Sequence, residues 1–165
     1  VNFTGELFSR VFKLAGLCCL LVLSAPAAYA QESLQPLLQQ LSSQGRLDIA
    51  GATVYDLAVT RDFYQRNGWQ LAWTRQEAVS ELAAAIEQAW REGMNGRDYH
   101  QDQVRGLLEG SLTLDVASRD LLLTDSLVRL TYHYALGKVD PSEFTASWNF
   151  GVALPDIDPV AWLGE

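Results

Sequence analysis

The sequence predicts an all-α protein: a compact, bundle-like helical domain with a loop-rich carboxyl-terminal tail, preceded by an export signal. Three observations carry this. Apolar residues recur at helical spacing in several segments, glycines close most of those segments, and 165 residues suit one domain rather than two. Hydrophobic residues at 48% and charged residues at 19% fit a chain that folds around a core and exclude disorder throughout. Twelve Lys and Arg stand against twenty Asp and Glu, for a net charge of -8. A chain repelled by phosphate does not bind nucleic acid through its overall field.

The amino end reads as a signal peptide over residues 1–30. Arg10 and Lys13 precede an uncharged apolar run from Leu14 to Ala25, followed by Pro26 and the small-residue site Ala28, Tyr29 and Ala30. Twelve apolar residues rise only about 18 Å as a helix, short of the roughly 30 Å hydrocarbon core, which favours cleavage after Ala30 over a spanning anchor. The uncleaved segment would be the chain's one route to a membrane. Cys18 and Cys19 lie inside this run, so the expected mature chain from Gln31 has no thiol for a disulfide, a nucleophile or a thiolate metal site. Removing Arg10, Lys13 and Glu6 leaves ten basic and nineteen acidic side chains, 10 - 19 = -9. An acidic exported chain suits the periplasm, where anionic headgroups would repel it. Val1 suggests an alternative start codon or a fragment.

Residues 31–165 read as one domain. Ser33 is placed to cap a first helix in which Leu34, Leu37, Leu38 and Leu41 share a face, with Pro36 in the first turn and Gly45 at the end. A mixed segment from Arg46 to Val54 leads to a second helix over about Tyr55–Arg66, closed by Asn67 and Gly68. Thr74 and Glu77 stand at capping-box spacing for a third helix, in which Val79, Leu82, Ala83, Ile86, Ala89 and Trp90 form the apolar face and Gly93 is the stop. Asn95 and Gly96 make a turn. A short helix over about Gln101–Leu108 precedes the longest one, Asp115–Leu136, with Leu123, Leu127, Leu130 and Tyr134 on one stripe and Leu122 and Val128 widening it. That breadth predicts neighbours on more than one side, and Gly137 is the expected cap. Pro141, Pro155 and Pro159 make residues 138–165 read as loop.

Chemistry-bearing residues are few, and no catalytic, cofactor-binding or metal-binding residue is expected. The two histidines, His100 and His133, lack the second ligand at four-residue spacing that builds a helical zinc site. His133, between Tyr132 and Tyr134, reads as a partly buried ring satisfied by one hydrogen bond. His100 follows Asp98 and Tyr99; an Asp beside a His can orient a general base, but these residues fit better as the lock of a helix-helix corner. Glu77 and Glu81 could serve as a glycosidase-like carboxylate pair only if one were buried, and their helix face reads as solvated. Of the five tryptophans, Trp90 continues an apolar stripe and reads as core, beside Trp69 and Trp73 earlier in the chain. Trp148 and Trp162, in the tail, are the better contact-surface candidates.

Three segments, in order, resemble the scaffold domain near the amino end of periplasmic L,D-transpeptidases. They are Phe63 to Thr74, with its Tyr64, Asn67-Gly68-Trp69 and Trp73; Ala89 to His100, with Glu92, Gly93 and Asp98-Tyr99-His100; and Asp120 to Pro141, opening on Leu121, Leu122, Leu123, Thr124 and Asp125 and closing on Gly137, Lys138, Val139, Asp140 and Pro141. They cover most of residues 55–150. Gly96 departs from the family, which often carries proline in that turn. The resemblance implies a non-catalytic scaffold over residues 31–165, cut before the peptidoglycan-binding and catalytic domains that would be its partners. The family's Ser or Thr, His, Gly, Cys signature has no counterpart here, so the chain is expected not to be an enzyme on its own. A stand-alone periplasmic module that binds peptidoglycan or another wall protein is the alternative.

Overall fold

The computed structural model describes residues 26–55 and 58–137. Among them are five α-helices and one β-hairpin: α1 (Pro26–Gln44), β1 (Arg46–Ile49), β2 (Ala52–Tyr55), α2 (Ala58–Arg66), α3 (Gln76–Gln88), α4 (Gln101–Glu109) and α5 (Val116–Leu136). Two 3-10 turns, Ala89–Glu92 and Gly96–Tyr99, join α3 to α4. The domain is therefore mostly helical, and the hairpin corrects the all-α expectation. Residues 1–25 of the expected 1–30 signal, with Cys18 and Cys19, and the tail from 138 with Trp148 and Trp162 lie outside the described residues.

The helix starts differ most from the expectation. α1 begins at Pro26, so Ser33 lies within the helix and not at its cap, and the Ala30–Gln31 bond falls inside it. Leu34, Leu38 and Leu41 are buried as their spacing predicts, and Gly45 stops the helix, its N–H bonding the Leu41 carbonyl at φ 73°. α3 does not use the Thr74–Glu77 capping box. Its first flanking residue is Arg75, extended and with no side-chain cap bond. The cause is tertiary: the N–H groups of Ala72 and Trp73 are taken by Asp120, so the chain stays extended up to Arg75 and the helix begins after it. Glu77 still lies in the first turn, where the helix dipole favours a negative charge.

The segment from Arg46 to Val54 is a hairpin because its residues alternate. Leu47 pairs with Val54 and Ile49 with Ala52, all four buried on one face, while Arg46 and Asp48 are exposed. Ala50 and Gly51 form a two-residue loop with φ 53° and 78°, the double positive geometry that matches strand twist. Asp48 Oδ1 accepts the Gly51 N–H at 2.9 Å and fixes the turn.

α5 is the axis around which the rest packs. Leu121, Leu122, Leu123 and Leu130 are fully buried, and Leu127 and Val128 nearly so. α1, α2, α3, β2 and the turn Gly96–Tyr99 all pack on this helix, so its cover comes from several sides, as its wide apolar surface predicts. Asp115 caps it by accepting the Ser118 N–H at 2.9 Å, and the Gly137 N–H closes on the His133 carbonyl.

Candidate functional site

Among the described residues six polar side chains are buried, and four of them, Asp120, Thr124, Asp125 and Ser126, lie on α5. Because a buried polar group is costly unless bonded, Asp120, Thr124 and Asp125 mark where α5 grips its neighbours, while Ser126 donates to the Leu122 carbonyl of its own helix. The first grip is Asp120, 2% exposed. Its Oδ1 accepts the Tyr64 hydroxyl at 2.7 Å and the Ala72 N–H at 3.1 Å, and its Oδ2 accepts the Trp73 N–H at 2.8 Å. The Trp73 indole N–H donates to Thr124 Oγ1 at 3.0 Å, and Thr124 and Tyr64 oxygens lie 2.8 Å apart. The Tyr64 hydrogen is committed to Asp120, so Thr124 donates to Tyr64, and a directed chain runs from indole to carboxylate. Arg119 adds a bond from Nη1 to the Trp73 carbonyl at 2.9 Å. Burial pushes the Asp120 carboxyl above its ordinary value, against the opposing pull of Trp73, Tyr64, Ala72 and Arg119.

The second grip lies five residues further along α5. Asp125 Oδ2 meets His100 Nε2 at 2.7 Å and Arg129 Nε at 2.6 Å, and Arg129 Nη2 donates to the Thr53 carbonyl at 2.9 Å. One carboxylate thus ties the start of α4 and, through Arg129, strand β2 to α5. His100 is 6% exposed, sits in the left-handed region at φ 57° and locks the corner between the Gly96–Tyr99 turn and α4, the structural role its position suggests. The carboxylate on its Nε2 comes from α5, a partner twenty-five residues away that local sequence does not reveal.

The third contact is at the far end of α5. His133 Nδ1 and the Tyr99 hydroxyl are 2.9 Å apart, with the rings edge to face at 5.6 Å, so His133 is the half-buried, hydrogen-bonded ring its setting predicts. Burial, with smaller contributions from Asp98 and Tyr134, pushes Tyr99 up to about 12, which keeps its hydroxyl protonated at neutral pH. Tyr134 is raised by burial and by the nearby Glu92 charge.

The remaining candidates are scattered. Glu77 and Glu81 are exposed on α3, as their helix face predicts. Trp73 is buried and Trp69 half-buried, but Trp90 is 68% exposed, contrary to its expected place in the core. Regular α-helix ends at Gln88; the Met94 N–H reaches back to Ala89, Gly93 turns left-handed at φ 76°, and the 3-10 turn rotates Trp90 off the apolar face that Ile86 and Ala89 continue. A cleft of about 230 Å³ lies between α3 and α4, with Ala83, Ile86, Val104 and Leu108 on its apolar side and Glu87 and Arg105 among its polar lining. Among the described residues no group of three or more His, Cys, Asp or Glu is placed to hold a metal ion, and no helix is long and apolar enough to cross a membrane.

A family model described as "Scaffold domain" matches residues 58–165, more than half of the chain. No curated protein and no solved structure matches it.

Proposed function

Because this chain belongs to the Scaffold domain family, we propose that it is a non-catalytic module whose work is to hold another protein surface in place. The observation that carries this reading is the Asp120 and Asp125 pair. Through side chains on one helix, α2, the segment before α3, the α4 corner and the hairpin are all fixed to a single axis. Such fixed side chains give a rigid face, which is what positioning a partner requires. The polar groups of these residues are spent on each other and not directed at a cleft.

The finer reading follows the resemblance in Phe63–Thr74, Ala89–His100 and Asp120–Pro141. The module is the scaffold portion of an L,D-transpeptidase, exported to the periplasm, and its partners are that enzyme's catalytic and peptidoglycan-binding domains. In this reading the parent crosslinks peptidoglycan by cysteine acyl transfer, and this part positions without reacting. The alternative, a stand-alone periplasmic module that binds wall material or a wall protein, is favoured by the exposed Trp90, a side chain suited to an interface anchor.

Sedimentation separates the two. A scaffold stays in the supernatant with insoluble peptidoglycan alone and is retained by an immobilised L,D-transpeptidase catalytic domain. A wall-binding module sediments with peptidoglycan unaided. A chain that does neither removes both readings, and crosslinking of stem peptides by the purified chain alone removes the non-catalytic premise.

A further inference from the structure

We propose that the outer edge of β1 pairs with the same edge of a second copy of this chain, joining two hairpins into one four-stranded antiparallel sheet. A hairpin has two outer edges, and here they differ. The loop Ala50–Gly51 has two residues, so the flanking pair Ile49 and Ala52 exchange backbone bonds with each other, and so do Leu47 and Val54 two positions further on. The residues between them turn their N–H and C=O groups outward, Thr53 and Tyr55 along β2, Asp48 and Arg46 along β1. The β2 edge is engaged: the Thr53 carbonyl accepts Arg129 Nη2 at 2.9 Å, which agrees with this assignment of outward groups. Along β1, Arg46 and Asp48 are exposed, and among the described residues no hydrogen bond from outside the ladder reaches their backbone. An open edge of this kind is a template for another strand.

Charge identifies the occupant. Within β1, an outward-facing residue pairs across a two-fold axis only with another outward-facing residue. That leaves Arg46 on Arg46, Asp48 on Asp48, or Arg46 of one protomer on Asp48 of its partner. The first two registers set like charges directly opposite, which is destabilising. The third is centred on Leu47; it sets opposite charges across the axis twice and closes each pair with backbone bonds in both directions. Arg46, which makes no ion pair among the described residues, meets a carboxylate there, while Asp48 Oδ1 keeps its bond from the Gly51 N–H. A strand that carries its own complement two residues away suits a copy of itself better than a peptide of another sequence. The strands are four residues long, so the contact is small and the association weak and dependent on concentration. The inference does not rest on the wall-related reading above.

Sedimentation velocity of the full chain over a concentration series, with backbone amide exchange followed in parallel, tests it. The expected result is a monomer–dimer equilibrium in which exchange at Arg46 and Asp48 slows as the dimer forms, while Leu47 and Ile49, already bonded to β2, change little. Arg46→Asp should weaken the dimer roughly tenfold or more, because both attractive cross-strand pairs become repulsive. Asp48→Lys should do the same, and an equimolar mixture of the two variants should dimerise again, since every opposed pair then has unlike charges. If Asp48→Lys fails to fold for want of its Gly51 bond, Arg46→Asp alone decides. A chain that stays monomeric throughout overturns the proposal, as does a dimer that Arg46→Asp leaves equally tight, or a mixture of the two folded variants that stays monomeric. Protection of Arg46 and Asp48 that is independent of concentration also overturns it, because another part of the same chain then covers the edge.

Discussion

Asp120 and Asp125 sit five residues apart on the same helix, at 2% and 0% exposure, yet they are buried by opposite means. Asp120 is held mainly by dipoles: two backbone N–H groups and a tyrosine hydroxyl, with both oxygens engaged. Asp125 is held by two side chains, the His100 imidazole and the Arg129 guanidinium, both on Oδ2, while Oδ1 has no partner among the described residues. The difference teaches what each grip can lose. Nothing that surrounds Asp120 at its backbone contacts can leave, because Ala72 and Trp73 are fixed in the chain. Arg129 is partly exposed and can turn its charge to water.

The largest effect that would break this contrast is expected at Asp120. Asp120→Ala leaves three buried donors without acceptors and should cost roughly 3 kcal/mol or more in urea unfolding, since each orphaned group costs about 1–3 kcal/mol. Asp125→Ala should cost less, about 1–3 kcal/mol, because Arg129 rehydrates and keeps its Thr53 bond. If the Asp125 variant is the weaker of the two, the contrast is reversed and solvent access is not what decides. Tyr64→Phe removes one hydroxyl that bridges Asp120 and Thr124 and should cost about 1 kcal/mol.

Acidity sharpens the contrast from another side. The Asp120 carboxyl is raised above 3.8 by burial, so its contribution to stability is complete below that value and declines as pH rises through the raised folded value. Asp115 behaves oppositely. Burial alone would raise it, but the hydrogen bonds from Ser118 and its neighbours outweigh that and lower it, so its contribution is present above 3.8 and is lost as pH falls through the lowered value. Urea midpoints across the acid range should show Asp120→Asn flattening the first trend and Asp115→Asn the second. The smallest effect is expected at the exposed pair on α3: Glu81→Gln should change stability by less than about 0.5 kcal/mol, and a larger change would mean that this face is covered.

Much of the helical layout was legible because helix periodicity and glycine stops are local. Asp115, Gly137, Gly45 and the leucine stripes behave as their positions predict, and α4 and α5 begin and end within a residue of expectation. The hairpin carried a signal too, since Leu47, Ile49, Ala52 and Val54 alternate about an Ala-Gly step, but four-residue strands are short enough to pass for irregular chain. Thr74 and Trp90 misled for a different reason. Each had a sound local pattern that a non-local contact or a change of helix type overruled. The Asp120 grip was invisible because Asp120 meets residues forty-seven to fifty-six positions away, and no spacing rule reaches that far; of the Asp125 grip only the Arg129 pairing, four residues along the same helix, lay within reach of one.

From its order of residues alone the chain determined where helices form, which faces are apolar and which family it resembles, because those depend on neighbours within a turn or two. Tertiary structure decided which buried acid faces backbone dipoles and which faces an arginine and an imidazole, where α3 starts, and that Trp90 points to water. Those outcomes depend on which distant groups arrive at the same place, and only the packed core around α5 brings them there.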